Sequence, residues 1–307
     1  MDTLRFSSRP CRREADLPAV LGLVAAHPAG QRHVADLPYR LASWALDDPD
    51  NGRCWHTAGD ALAGFAVLQG PWGTLDLGVT PAARAAGLEG GMLTWAAARV
   101  QAKAESQGQP VSVYVEAEAG DAAWRAAAEA AGFHFGAYEL AQFERPLAAE
   151  AAGPAVPAGF VIRPLRGEAE CAAYTDLHRA AFGSANMTEA WRRRVVRGPG
   201  YAPDLDLVVE TLAGQLAGFC IGWPAPDGAW AQVEPCGVHP DFQHRGLGRA
   251  LLAELFRRMA ARGARRAVVE TYAGDDAAMS FYQSVGFQVV RRYLAGEQTF
   301  SPRPAPG

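Results

Sequence analysis

The segment Val238-His239-Pro240-Asp241-Phe242-Gln243-His244-Arg245-Gly246-Leu247-Gly248-Arg249-Ala250 carries the most specific chemistry in this 307-residue chain. It reads as a strand end, a short loop with two glycines, and the first turn of an amphipathic helix. The first N–H groups of a helix have no partner within it, and the helix dipole adds partial positive charge at that end. Gly246 and Gly248 let a backbone approach an anion without a Cβ in the way. Such a loop grips a pyrophosphate, so the pattern predicts a diphosphate-bearing cofactor. Two rival binders are excluded: there is no G-x-G-x-x-G followed about twenty residues later by an acid, and no G-x-x-x-x-G-K-[ST].

The elements that must position this loop are legible around it. Leu247, Leu251, Leu255 and Met259 recur every four residues as an apolar stripe, and Gly263 is placed to end that helix. Trp230–Val238 reads as the strand feeding the loop. Leu207–Thr211 and Leu216–Gly222 read as a hairpin around Gly214. Further strands are expected at 160–163, 266–271 and 287–294, and helices at 168–181, 188–197 and 276–284. Asn186 and Thr188 are capping candidates for the second of these helices. The arginines Arg192, Arg193, Arg194 and Arg197 are expected on its solvated face. The sum is a mixed α/β sheet with a strand–loop–helix–strand crossover at its centre.

The chain repeats itself. Val79, Pro81, Gly87 and Leu88 match Val238, Pro240, Gly246 and Leu247 at a constant offset of 159, and Asp121 to Phe133 match Asp275 to Phe287 at an offset of 154. Two ordered matches at nearly equal offsets indicate duplication of one unit. The Ala-, Pro- and Gly-rich stretch around 148–159 reads as a linker. The expected organisation is therefore residues 1–147, that linker, residues 160–300, and a disordered tail over 301–307.

Composition narrows the function classes. Hydrophobic residues make up 49% and charged ones 20%, as in ordinary soluble globular proteins, and the formal charge of −4 gives no basic face for nucleic acid. The first residues lack the apolar core of a signal peptide, and no apolar run is long enough to span a membrane. A cytoplasmic protein without nucleic-acid or membrane partners is expected, as a monomer or homodimer. Cys11, Cys54, Cys171, Cys220 and Cys236 are scattered, with no C-x-x-C pair, so reduced thiols are expected and no metal site.

Taken together, the V-x-P strand end, Gln243-His244-Arg245-Gly246-Leu247-Gly248 and the later Phe281-Tyr282-Gln283-Ser284-Val285-Gly286-Phe287 resemble the GNAT N-acyltransferase superfamily. Two such units in tandem resemble the mycothiol synthase type. The resemblance implies two GNAT-like domains, each a mixed, mostly antiparallel central sheet flanked by helices. It implies acetyl-CoA as co-substrate, held by Gln243, His244, Arg245, Gly246, Leu247, Gly248, Arg249 and Ala250. The strand end Cys236 and Val238, with His239 and Pro240, would meet the pantetheine arm. Members often carry Asn where this chain has Asp275, which accepts a hydrogen bond but does not donate one.

The chemistry implied is acetyl transfer to the primary amine of a small molecule. Tyr282 is the candidate acid, since a phenol with a pKa near about 10 keeps its proton at neutral pH and can protonate a departing thiolate. Glu234 is the candidate base. Four residues before Val238, it falls by strand alternation on the face of Cys236 and Val238. In the first repeat Glu89 stands in place of Gly248 and Ala128 in place of Tyr282, so the N-terminal half is expected to be catalytically degenerate. An acyl-CoA sensor or scaffold, or a protein N-acetyltransferase, are the competing readings.

Overall fold

The computed structural model describes residues 5–147 and 154–303; residues 148–153 of the expected linker and 304–307 of the expected tail lie outside the described residues. The first half contains β1 (Ser7–Pro10), α1 (Arg13–Ala26), α2 (Leu37–Leu41), β2 (Gly52–His56), β3 (Leu62–Gln69), β4 (Thr74–Val79), α3 (Pro81–Ala85), α4 (Leu88–Gln107), β5 (Val111–Glu118), α5 (Ala122–Ala130) and β6 (His134–Pro146). The second contains β7 (Phe160–Pro164), α6 (Cys171–Phe182), α7 (Glu189–Arg197), β8 (Asp206–Thr211), β9 (Leu216–Pro224), β10 (Trp230–Val238), α8 (Leu247–Ala261), β11 (Arg266–Tyr272), α9 (Asp276–Ser284) and β12 (Gln288–Phe300).

Local sequence explains most of these elements. The α8 stripe of Leu247, Leu251, Leu255 and Met259 is buried against the second half's sheet, and each such side chain contributes roughly 1.5–3 kcal/mol of transfer free energy. Thr188 caps α7 by accepting from the Trp191 N–H at 3.1 Å. Asn186 instead donates across to the Pro71 carbonyl in the other half at 2.8 Å.

The repeat is visible in three dimensions. Val79 on β4 lies opposite Gly64, as Val238 on β10 lies opposite Gly218. Asp121 and Asp275 each cap the following helix, accepting from Trp124 and Ala278 N–H at 2.9 Å.

The two halves are joined more intimately than a linker between consecutive domains implies. Their strands form one twelve-stranded sheet in the order β1-β2-β3-β4-β5-β12-β6-β11-β10-β9-β8-β7. The halves have exchanged their last strands: β6 pairs antiparallel with β11, from Arg266–Pro146 to Tyr272–Leu140, and β12 pairs with β5 from Tyr293–Glu118 to Phe300–Val111. The final strand therefore runs to Phe300, beyond the 294 expected, because its outer part belongs to the first half's sheet. Among the described residues, parallel pairing occurs only at β4–β5, through Thr74–Tyr114, and at β10–β11, from Trp230–Arg266 to Gln232–Val268. Beyond those residues the neighbours splay apart.

Two sequence expectations need correction. Cys11 and Cys54 form a disulfide, with Cα atoms 5.4 Å apart, so not all five cysteines are free thiols; Cys171, Cys220 and Cys236 are. The spacing in sequence gives no sign of a pairing that β1–β2 packing creates. Arg192 is not on a solvated face: it is fully buried, paired with Asp206 and laid over Tyr174 at 3.7 Å from the ring centroid. Arg194 binds the Ala42 carbonyl of the first half at 2.7 Å, whereas Arg193 and Arg197 pair with surface glutamates.

Candidate active site

The glycine loop has the geometry that its sequence demands. Gly246 caps α8 at φ +81°, a left-handed conformation that side chains strain to adopt, and the first helical bond runs from Ala250 N–H to the Gly246 carbonyl. The N–H groups of Gly246 to Arg249 precede that bond and point out of the helix end. Gly248 has a different reason to be small: a Cβ there would sit 3.1 Å from the Phe281 ring. Leu247 and Ala250 are buried beneath the loop. Around it, Gln243 donates to the Val238 carbonyl at 3.2 Å, His239 accepts from the Asp241 N–H at 3.2 Å, and Pro240 opens a short helical turn. His244 takes a left-handed conformation at φ +58°. Arg245 binds the Asp241 carbonyl at 3.0 Å and Arg249 the Ser284 carbonyl at 3.1 Å, so both guanidinium groups also brace the loop. Asp275 spends one carboxylate oxygen on the α9 cap.

Beside the loop, β10 and β11 separate after Gln232–Val268. The β10 edge facing β11 over residues 233–238 is then free to pair with an extended ligand, as in strand addition. The loop and this edge together fit a pyrophosphate followed by a pantetheine arm.

Within the opening, the alternation expected for Glu234 fails. A register shift between Val233 and Cys236 leaves Ala231 and Val233 in the α8 core, with Cys236 and Val238 packed against it, and takes Glu234 out of that sequence. Burial pushes the Glu234 carboxyl up to about 8, reinforced by Asp36 and opposed by Arg40. Its backbone carbonyl accepts from Trp223 Nε1 at 2.6 Å.

Tyr282 lies on α9, 8% exposed, ringed by Phe143, Phe281 and Phe287 at centroid distances of 5.4–6.0 Å. Burial raises its hydroxyl well above the usual tyrosine range, and negative charge on Cys236 or Glu234 would raise it further. Burial also pushes the Cys236 thiol up to about 12, with Glu234 adding to it. The fold thus gathers Glu234, Cys236 and Tyr282 into one electrostatic neighbourhood, containing a carboxyl that exchanges protons near neutral pH and a hydroxyl that keeps its own.

The equivalent place in the first half is built differently. Gly87 repeats the left-handed cap at φ +76°, but Glu89 follows it, paired with Arg84 at 2.9 Å, and burial raises its carboxyl. Because β10 carries an extra residue that β4 lacks, Leu75 opposite Leu68 corresponds to Val233 opposite Gly222, and the place of Glu234 is taken by Asp76, which Arg40 grips. Ala128 stands at the position of Tyr282 and is buried among apolar groups. A cavity of about 620 Å³ opens on this side, lined by Arg84, Glu89, Asp121 and Trp124, and reaches Trp230 and Gln232 of the second half. Its size suits a small molecule. Its lining also includes His33, Asp76, Glu116, Glu118 and Tyr293, so the cavity is strongly charged.

Sequence reading missed the charged cluster between the halves. Arg32 bridges Glu116 of β5 and Glu270 of β11 and lies 4.1 Å from the Tyr293 ring centroid. Arg40 grips Asp76 through two bonds of 2.6 and 2.7 Å, and His33 Nδ1 is 3.0 Å from Asp36. The cluster draws on segments far apart in sequence. Its only trace there is charged residues alternating on β5 and β11. Among the described residues no group of three or more His, Cys, Asp or Glu is placed to hold a metal, and no helix is long and apolar enough to cross a membrane.

The family model described as acetyltransferase (GNAT) family matches residues 171–287. A mycothiol acetyltransferase of Clavibacter sepedonicus is 31% identical over 76% of this chain and 75% of its own length. One from Clavibacter michiganensis is 32% identical over 60% of this chain and 61% of its own. In structure, a tandem GNAT protein from the clavulanic acid biosynthesis pathway superposes with a TM-score of 0.65, covering 98% of this chain and all of that one at 19% identity.

Proposed function

The chain belongs to the GNAT acetyltransferase family, a family of acyltransferases, and we propose that its second half transfers an acetyl group from acetyl-CoA to the primary amine of a small molecule while its first half no longer catalyses. The observation that carries this reading is the internal contrast: one copy of the repeat has Gly248 and Tyr282, and the other has Glu89 and Ala128. Bound acetyl-CoA would supply an acyl carbon activated as a thioester. Gly246 to Ala250 would hold its pyrophosphate, and the open edge of β10 its arm.

The protein's own residues then move two protons. Glu234 takes one from the amine as its nitrogen bonds to the acyl carbon. Tyr282 gives one to the sulfur as the carbon–sulfur bond breaks. Relatives named mycothiol acetyltransferase make a mycothiol-related amine one specific candidate for the acceptor.

Two measurements test the assignment. Tyr282→Phe is expected to lower turnover about 100-fold or more while leaving acetyl-CoA affinity within a factor of three. A sensor or scaffold would show no functional change. Calorimetric titration with acetyl-CoA is expected to show a tight site in the wild type that disappears in Gly248→Glu, which places a carboxylate at the loop and a side chain against Phe281. Retention of that site would move the working cofactor loop elsewhere.

A further inference from the structure

Resting on that acetyltransferase reading, we propose that the acceptor lies along one face of β11 and β6, with its amine at Glu234 and Glu270 and a ring against Tyr272 and Tyr138, which makes the two tyrosines specificity determinants for ring-bearing primary amines.

The last paired residues of β10 and β11 are Gln232 and Val268, and Glu234 and Glu270 each lie two residues farther on, facing each other across the opening. Glu270 is held from both sides. One carboxylate oxygen accepts from Gln142 Nε2 of β6 at 2.7 Å, and the other meets Arg32. Strand alternation puts Tyr272 on the same face as Glu270, about 7 Å along.

At that distance the surface changes character. The Tyr272 ring stacks on that of Tyr138, with centroids 4.4 Å apart and planes within 11°. Both stay unusually open for large rings, at 41% and 45% exposed. The arrangement is built rather than incidental: a Cβ on Gly274 would lie 2.7 Å from the Tyr272 ring, so glycine there makes room for it. An exposed aromatic pair beside a reacting centre marks a contact surface for something. Glu234 and Glu270 at one end offer hydrogen-bond acceptors to an amine N–H, and the flat tyrosine pair at the other favours a ring, through edge-to-face or offset contact, over a flexible chain.

The test compares 2-phenylethylamine with n-butylamine. The wild type is expected to show at least a tenfold higher kcat/KM for the ring amine. Tyr272→Ala and Tyr138→Ala are each expected to erase most of that preference by raising KM, and Tyr272→Phe to restore it. Calorimetric binding of the two amines to Glu234→Gln reads the same preference without turnover. If the ring amine binds tenfold tighter there but is not acetylated by the wild type, the subsite stands and the acetyltransferase reading falls. Equal binding of the two amines overturns the proposal. So does an effect of the alanine variants on the KM of acetyl-CoA instead of the amine's.

Discussion

Glu234→Gln is expected to lower kcat by about 100- to 1000-fold and to abolish the acid limb of the pH–rate profile. The wild-type carboxyl is pushed up to about 8 mainly by burial, with Asp36 adding and Arg40 subtracting. Only the ionised carboxylate accepts a proton, so the wild-type rate should rise with pH, tenfold per unit well below 8, and level off above it. Glutamine has no such ionisation. An acid limb that survives in the variant would assign the base to another group.

The same shift predicts a stability effect of defined sign. The folded protein favours protonated Glu234, whereas the unfolded chain ionises it near the usual 4.5. Between those values the unfolded state binds fewer protons than the folded one, so this residue's contribution to stability falls as pH rises through the window and is fully lost above about 8. Glutamine cannot ionise. The variant should therefore melt above the wild type at pH 9, with that advantage gone at pH 4. A melting difference independent of pH would mean that Glu234 is not held protonated by burial.

How far the sequence discloses this molecule depends on whether a signal is local. The α8 stripe and the glycine before it are decided within one turn of chain, and both are legible; Asp275, expected at the cofactor arm, caps α9. Loop residues are legible as a set but not in role: Gly248 yields to Phe281, and Arg245 and Arg249 partly brace backbone carbonyls. Glu234 is legible as a residue but misplaced by alternation, because a bulge is an insertion that period-two counting cannot see. Arg192 looks like surface since arginine is rarely buried; only the distant Asp206 and Tyr174 make its burial tolerable. The Arg32–Glu116–Glu270 bridge joins residues more than 80 apart at every step, and no spacing rule reaches that far.

The strand exchange leads to the other large effect. Residues 1–159 and 160–307 produced separately are each expected to lack a cooperative melting transition, and to regain it, together with acetyl-CoA binding, when produced together. Alone, the second segment loses seven register partners of β11 along β6. It also loses Phe143, which is fully buried and 6.0 Å from the Tyr282 ring. Removing one such phenylalanine costs about 3–5 kcal/mol, a large part of the 5–15 kcal/mol that holds a typical domain together. The segment's own β12 would meanwhile have lost β5, its partner over Tyr293 to Phe300. One escape exists: β12 could swing back beside β11, in the place β6 now fills. A separately folded 160–307 with native acetyl-CoA affinity would show that it does, and that the exchange is dispensable. The site argues against that outcome. β6 places Gln142 on Glu270 and Phe143 against Tyr282, and Arg32 reaches Glu270 from the first half. The half that carries Glu89 and Ala128 is thus built into the walls of the other half's proposed site, and on that reading the two copies of the repeat depend on each other.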